Sequence, residues 1–131
     1  MLEATPWVGV ICATVATMMV GAAWYGGLAQ PWMKAAGVTE EQVKAGASPM
    51  LYVIAIIAHF VMAMMLSGLI FHVSPQGGTG KGMLNGFLAW LGFAAVPLVV
   101  THRFQMRAWS LTLLDIGHYL LVLLVQGAVL G

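Results

Sequence analysis

Residues 50–73 read MLYVIAIIAHFVMAMMLSGLIFHV and contain no aspartate, glutamate, lysine or arginine. A helix crosses the hydrocarbon core of a bilayer with about 20 apolar residues, so this stretch is long enough to span a membrane. Ser48 and Pro49 stand directly before it, and a capping residue followed by a proline is typical of a helix start. The stretch therefore predicts a transmembrane helix.

Three further apolar windows of similar length lie on either side of this stretch. They cover about residues 6–28, 82–102 and 108–131, and short connections join them. Together with residues 50–73 they predict an all-α fold, a bundle of four transmembrane helices. The connections are too short for a second folded unit, so we expect a single domain over residues 1–131.

The composition excludes several classes of protein. Of the 131 residues, 61% are hydrophobic and 7% are charged, and the mean hydropathy is +0.94. A soluble domain carries about 25% charged residues, so the lipid bilayer is the expected surrounding. A formal net charge of +1 provides no basic surface for nucleic acid. Cys12 is the single cysteine, which excludes a disulfide, a dithiol redox pair and a thiolate zinc site within one chain.

The stretch from about residue 30 to residue 47 predicts a short amphipathic segment on the membrane surface. Gly37 divides it into two short helices. Trp32 provides an anchor at the depth of the lipid head groups. Thr39 and Gln42 stand three residues apart, which is the spacing of a capping box at the start of the second short helix.

The charges of the connections predict an orientation. One side of the predicted bundle carries four basic residues, while the other side carries Lys81 and the amino terminus. The four are Lys34, Lys44, Arg103 and Arg107. Lysine and arginine accumulate in cytoplasmic connections, so we expect both termini to face outward.

Aromatic and histidine side chains near the ends of the windows are expected at the membrane interface. Tryptophan and tyrosine form belts at head-group depth, and we interpret five residues in this way: Trp7, Trp24, Tyr25, Trp32 and Trp109. His72 and His102 stand at the ends of the second and third windows. An interfacial position is the expectation for both histidines.

Asp115 is the only acid inside the four windows. His118 and Tyr119 follow at i+3 and i+4, and Gln126 falls on the same helical face. His59 lies near the middle of the second window, at a similar depth. An ionisable residue within the hydrocarbon core costs about 2.5–3.5 kcal/mol on insertion scales, so these residues are expected to meet in one buried polar cluster.

Two residues of the third window bear on this cluster. Pro97 has no amide hydrogen, which frees the carbonyl of Phe93 from its helical bond. A freed carbonyl inside a membrane needs a donor, and we expect it to join the polar cluster. Trp90 lies within the same window, where it either packs in the bundle or lines a pocket.

Several interpretations of the cluster remain open. In the first, Asp115, His118, Tyr119 and His59 line a cavity that holds a small cationic or lipophilic ligand or exchanges a proton, as in a small transporter or a ligand-binding membrane protein. In the second, the cluster links helices in a non-catalytic membrane subunit or assembly protein. A third alternative is haem held by His59 and His118. The sequence contains no set of nucleophile and base and no metal-ligand motif, so it predicts no catalytic residue, no metal and no cofactor.

Glycines recur at four-residue spacing at the start of the third window and the end of the fourth. They are Gly78, Gly82 and Gly86, and Gly127 and Gly131. This spacing permits close approach of helices, within one chain or between chains. Four short helices enclose little volume, so we expect a homo-oligomer.

Several local motifs carry a resemblance to a known family. They are WY at 24–25, WMK at 32–34, Gly37, TEE at 39–41, DIGHY at 115–119 and GAVLG at 127–131. In this order and spacing the chain resembles the domain-of-unknown-function 1761 family, small four-span membrane proteins found mainly in bacteria. The resemblance implies a location in the bacterial inner membrane. It implies no activity, because the family has none established.

Overall fold

The computed structural model describes residues 5–131 as seven α-helices joined by short turns. They are α1 (Trp7–Gly27), α2 (Ala29–Ala36), α3 (Glu40–Gly46), α4 (Pro49–Val73), α5 (Thr79–Trp90), α6 (Val96–Phe104) and α7 (Trp109–Leu130). A π-helical turn, Leu91–Ala95, joins α5 to α6 without a break. No strand occurs within the described residues, which confirms the predicted all-α fold; residues 1–4 of the predicted domain lie outside the described part.

Four helical stretches are long and apolar enough to cross a membrane, which makes this an integral membrane protein. They are α1, α4, α7 and the continuous stretch Thr79–Phe104 that α5, the π turn and α6 form together. Their ends agree with the predicted windows to within a few residues. The agreement follows because charged residues and the Ser-Pro pair before α4 mark the ends: the Ser48 hydroxyl accepts from the Met50 amide, and Pro49 is the first helical residue.

The segment between α1 and α4 contains the two predicted short helices. Gly37 ends α2 in the left-handed conformation, at φ 71°, which glycine adopts without steric cost. Thr39 and Gln42 form the predicted capping box, since each side chain bonds the other residue's backbone amide. Their spacing in the sequence thus predicted the start of α3.

Helix α7 is the centre of the bundle. It packs against α5, α1 and α4, and α1 also packs against α4. One small core joins Val10 and Ala13 to Ala63, and a second joins Leu66 and Ile70 to Leu123. The outward faces carry large apolar side chains that are largely exposed, such as Phe93 at 86%. An apolar exterior around a small core is the distribution that lipid surroundings require.

The predicted glycine spacing brings α5 and α7 into backbone contact within one chain. A Cβ atom at Gly82 would overlap the Gly127 carbonyl, and one at Gly86 would overlap the Leu123 carbonyl. At the end of this contact the Gly78 amide donates to the Gly131 carbonyl at 2.8 Å. We call this contact the glycine seam, formed by Gly78, Gly82, Gly86, Gly127 and Gly131. These glycines make contacts between helices of the same chain. The homo-oligomer stays a prediction.

The π turn precedes Pro97 in the third span. In such a turn each backbone amide bonds the carbonyl five residues earlier instead of four. This pattern suits a helix that contains a proline, which has no amide hydrogen to donate. None of the side-chain hydrogen bonds among residues 5–131 reaches the Phe93 carbonyl, and the Phe93 side chain is exposed. The expectation that this carbonyl joins the polar cluster was therefore wrong; what accompanies Pro97 is a change of helix type within the third span.

Candidate functional site

Asp115 lies in α7 between groups from two other spans. Its Oδ1 accepts a hydrogen bond from the Tyr25 hydroxyl of α1 at 2.8 Å. Its Oδ2 lies 3.8 Å from Nε2 of His102 in α6, and the Asp115 side chain keeps 20% of its surface exposed. A carboxylate offers about four lone-pair sites, so it has capacity to accept further donors.

His102 lies in the last turn of α6, and its side chain is buried against the other helices. Its Nδ1 lies 2.9 Å from the hydroxyl oxygen of Thr112, a residue of α7 with no exposed surface. Arg103 donates to the same hydroxyl oxygen, and its guanidinium lies over the Trp109 ring at 3.7 Å. The short turn between α6 and α7 places these groups together because the two helices run antiparallel from it.

A cavity of about 360 Å³ lies beside the Asp115 carboxylate. We call it the polar pocket; its walls are Tyr25, Trp32, Leu98, Asp115 and Tyr119. Three of the five are aromatic, and they come from α1, the surface helix α2 and α7. The pocket therefore combines one acidic group with three aromatic side chains at the end of the bundle that carries the basic connections.

Two indole N–H groups hold α7 on either side of Asp115. Trp24 of α1 donates to the Leu114 carbonyl at 3.0 Å, and Trp90 of α5 donates to the Ile116 carbonyl at 2.7 Å. Trp90 also packs against the core around Leu66 and Leu123. Of its two predicted alternatives the structure has the packing one, and Trp90 is not among the walls of the polar pocket.

A second, apolar cavity of about 510 Å³ adjoins the polar pocket. We call it the apolar groove; it lies between α4, the third span and α7, and Leu98 and Tyr119 line both cavities. Its other walls are Met62, Met65, Leu66, Leu69, Ala89, Phe93, Ala94, Pro97, Thr101 and Leu123. Met62 and Met65 of α4 thus line a groove, as adaptable apolar side chains do.

His59, His118 and Gln126 form a separate group near the middle of the bundle. The two imidazole rings are 6.1 Å apart between centroids. The Gln126 amide donates to the His59 carbonyl at 3.1 Å and to the Thr17 hydroxyl at 3.4 Å. His59 Nδ1, both ring nitrogens of His118 and Gln126 Oε1 are buried without a hydrogen-bond partner. We call His59, His118 and Gln126 the mid-bundle cluster.

The single predicted polar cluster is thus two groups. Asp115 and Tyr119 line the polar pocket, whereas His59, His118 and Gln126 lie in the mid-bundle cluster. Tyr25 lies between the groups: its hydroxyl donates to Asp115, and its ring lies 4.8 Å from the His118 ring. The sequence interpretation placed Asp115 beside His59 and His118, and no hydrogen bond or ion pair of the described residues joins them.

Sequence reasoning missed four residues of this site: Tyr25, Trp32, His102 and Thr112. Tyr25 and Trp32 were interpreted as belt residues, although both belong to the motifs that carry the family resemblance. For His102, one feature of the sequence could have predicted its contact with Thr112. His102 stands two residues before the end of α6, and Thr112 stands three residues after the start of α7, so a tight helical hairpin brings the two to a similar level.

The described residues include no group of three or more histidine, cysteine, aspartate or glutamate side chains placed to hold a metal ion. Haem between His59 and His118 needs space for a flat macrocycle. Neither His59 nor His118 lines the polar pocket or the apolar groove, so the residues present do not fit a haem between them.

The chain matches one family description, a protein of unknown function designated DUF1761, over residues 8–131. The match covers nearly the whole chain. Comparison with curated proteins and with solved structures finds no match.

Proposed function

The chain belongs to the DUF1761 family, whose description assigns no function, and we propose from the polar pocket that it binds a small organic cation as a transporter or ligand-binding membrane protein. The observation that carries the proposal is the Asp115 carboxylate in the wall of a cavity of about 360 Å³ whose other walls include Tyr25, Trp32 and Tyr119. Ligand pockets begin at about 300 Å³, so the cavity suits a small molecule.

The side chains that line the polar pocket favour a positively charged ligand. A cation over an aromatic face gains about 0.5–1 kcal/mol when exposed and about 2 kcal/mol or more when desolvated. Three aromatic rings and one carboxylate therefore favour an alkylammonium group over a neutral molecule of the same size. Asp115 is the only acid in the four spans, so the cation has a single counter-charge there.

The proposal includes a location in the bacterial inner membrane with both termini outside. The polar pocket lies at the end of the bundle that carries Lys34, Lys44, Arg103 and Arg107. Basic connections face the cytoplasm, and in that orientation the polar pocket faces the cytoplasmic leaflet.

The test is binding of tetramethylammonium to the purified protein in lipid nanodiscs, followed by calorimetry. We expect saturable binding, and no binding of tert-butanol, which is neutral and of similar size. Asp115→Asn keeps the shape of the side chain and removes the charge, so affinity should fall at least about tenfold, the effect of about 1.4 kcal/mol.

The matched control is Glu40→Gln, which removes an exposed carboxylate that pairs with Lys44 at 3.2 Å on α3. It should bind tetramethylammonium as the wild type does. Equal affinity in the wild type and in Asp115→Asn would contradict the proposal. That outcome would favour the alternative of a non-catalytic membrane subunit, in which Asp115 serves helix contacts alone.

A further inference from the structure

We infer that His102 holds a proton that leaves when a cation occupies the polar pocket, so that the protein exchanges one organic cation for one proton. The inference rests on the proposed cation binding and adds the co-substrate and the residue that carries it. His102 lies between Asp115 and Thr112.

The imidazole of His102 has a different partner at each nitrogen. Nε2 lies 3.8 Å from the Asp115 carboxylate, and Nδ1 lies 2.9 Å from the Thr112 hydroxyl oxygen. His102 as a whole is 8% exposed. A buried imidazole in contact with a carboxylate is a group that can gain a proton without water around it, because the carboxylate balances the charge.

The Thr112 hydroxyl accommodates both protonation states of His102. A hydroxyl is both a donor and an acceptor and can rotate. When Nδ1 lacks a proton, the hydroxyl donates to it. When Nδ1 carries a proton, the ring donates to the hydroxyl oxygen, and the hydroxyl hydrogen turns to the Ala108 carbonyl, 3.4 Å away. The Nδ1 hydrogen bond therefore persists in both states.

The charges around His102 make its proton the one that can leave. The titratable and charged groups that face it are Asp115 of α7, Tyr25 of α1, which donates to that carboxylate, and Arg103 of its own helix. Tyr119 lines the polar pocket beside the same carboxylate. Arginine stays protonated in proteins. When an organic cation reaches Asp115, His102 is thus the positive group near that carboxylate that can discharge.

The exchange balances in charge and in atoms. Before binding, the Asp115 carboxylate faces a His102 imidazolium. After binding, it faces the organic cation, the imidazole is neutral, and one proton has passed to water. The net charge of the site is the same in both states, which suits a low-dielectric position where an added charge is costly.

The test is proton release on binding, recorded with a pH-sensitive dye in weakly buffered nanodiscs as tetramethylammonium is added. This probe carries a permanent charge and no exchangeable proton. At acidic pH we expect about one proton released per bound cation. Affinity should rise about tenfold for each pH unit in that range and level off at higher pH.

His102→Gln should bind tetramethylammonium with an affinity that no longer depends on pH, and should release no proton. The matched control is His72→Gln, which removes an exposed histidine near the end of α4 and should behave as the wild type does. Thr112→Val keeps the side-chain shape and removes the hydroxyl. It should move the pH midpoint of the wild-type curve, which provides a second variant if His102→Gln fails to fold.

The outcomes separate this inference from the proposed function. Wild-type protein that binds tetramethylammonium without releasing protons overturns the exchange and leaves cation binding intact. Proton release that persists in His102→Gln also overturns it and assigns the proton to Asp115. Wild-type protein that does not bind tetramethylammonium at all overturns the proposed function itself.

Discussion

The two ends of the bundle differ in how close the helices come. At the glycine seam, α5 and α7 touch through their backbones, and no space remains for a side chain between Gly82 and Gly127. At the other end α7 meets Trp24, Tyr25 and Trp32, and a cavity of about 360 Å³ opens beside Asp115. The size of the residues along α7 thus decides where this small bundle is sealed and where it is open.

A substitution in the glycine seam should have the largest effect, and that effect is on the stability of the fold. Gly82→Ala puts a Cβ atom into the Gly127 carbonyl, and backbone on both sides cannot give way as a flexible side chain does. We expect a loss of about 3 kcal/mol or more in the free energy of unfolding, at the upper end of overpacking effects. The measurement is reversible unfolding in mixed micelles of lipid and detergent.

The matched control is Gly80→Ala, two residues earlier in α5, where an added Cβ atom meets nothing within 4 Å. Alanine is the better helix former by about 1 kcal/mol, so this variant should be as stable as the wild type or more so. Equal destabilisation of both variants would mean that helix α5 itself, and not the seam, responds to the change.

Changing the open end should affect binding and leave the fold intact. Trp32→Leu removes one π face of the polar pocket from the surface helix α2. We expect tetramethylammonium affinity to fall about tenfold, a loss within the range of a desolvated cation–π contact. The unfolding free energy should stay within about 0.5 kcal/mol of the wild type, as for surface substitutions.

The control for Trp32→Leu is Trp7→Leu, which removes a tryptophan that stacks on Phe60 at the opposite end of the bundle. Its affinity for tetramethylammonium should equal that of the wild type. A similar fall in both variants would indicate a general effect on the bilayer interface and would remove Trp32 from the pocket walls.

A substitution in the mid-bundle cluster, between the two ends, should have the smallest effect. Gln126→Leu removes the amide that joins α7 to the His59 carbonyl and to Thr17, and it also removes a buried oxygen without a partner. Interhelical hydrogen bonds in membranes contribute about 0.6–2 kcal/mol, so we expect a loss of about 1 kcal/mol in unfolding free energy. Affinity for tetramethylammonium should not change, and a loss of binding would connect the mid-bundle cluster to the polar pocket. Gln105→Leu, in the exposed turn after α6, is the control.

Local signals account for the part of the fold that the sequence predicted. Apolar length determines the four spans, and Thr39 with Gln42 determines the start of α3, because each depends on residues close in the chain. Asp115 was recognisable as the only intramembrane acid. Its partners were not, since Tyr25 lies 90 residues away and reaches it only through the way α1 packs on α7.

Sequence reasoning grouped Asp115 with His118 because three-residue spacing places them on one side of α7. That side of the helix is wide enough to face two neighbours. Asp115 meets Tyr25 and His102, whereas His118 lies beside His59 of α4. The direction of each side chain relative to the packed helices, which the sequence does not contain, separates the two groups.

The π turn changes the direction in which side chains of the second half of the third span point. An α-helix advances by about 100° per residue, so in a regular helix His102, twelve residues after Trp90, would lie about 120° around the axis from it. Trp90 and His102 nevertheless both contact α7, through Ile116 and Thr112. Each residue of the wider turn at Leu91–Ala95 rotates the chain by a smaller angle. The angle around the axis between Trp90 and His102 is therefore less than in a regular helix. The irregular turn thus rotates His102 toward Asp115 while the glycines of α5 keep their contact with the same helix.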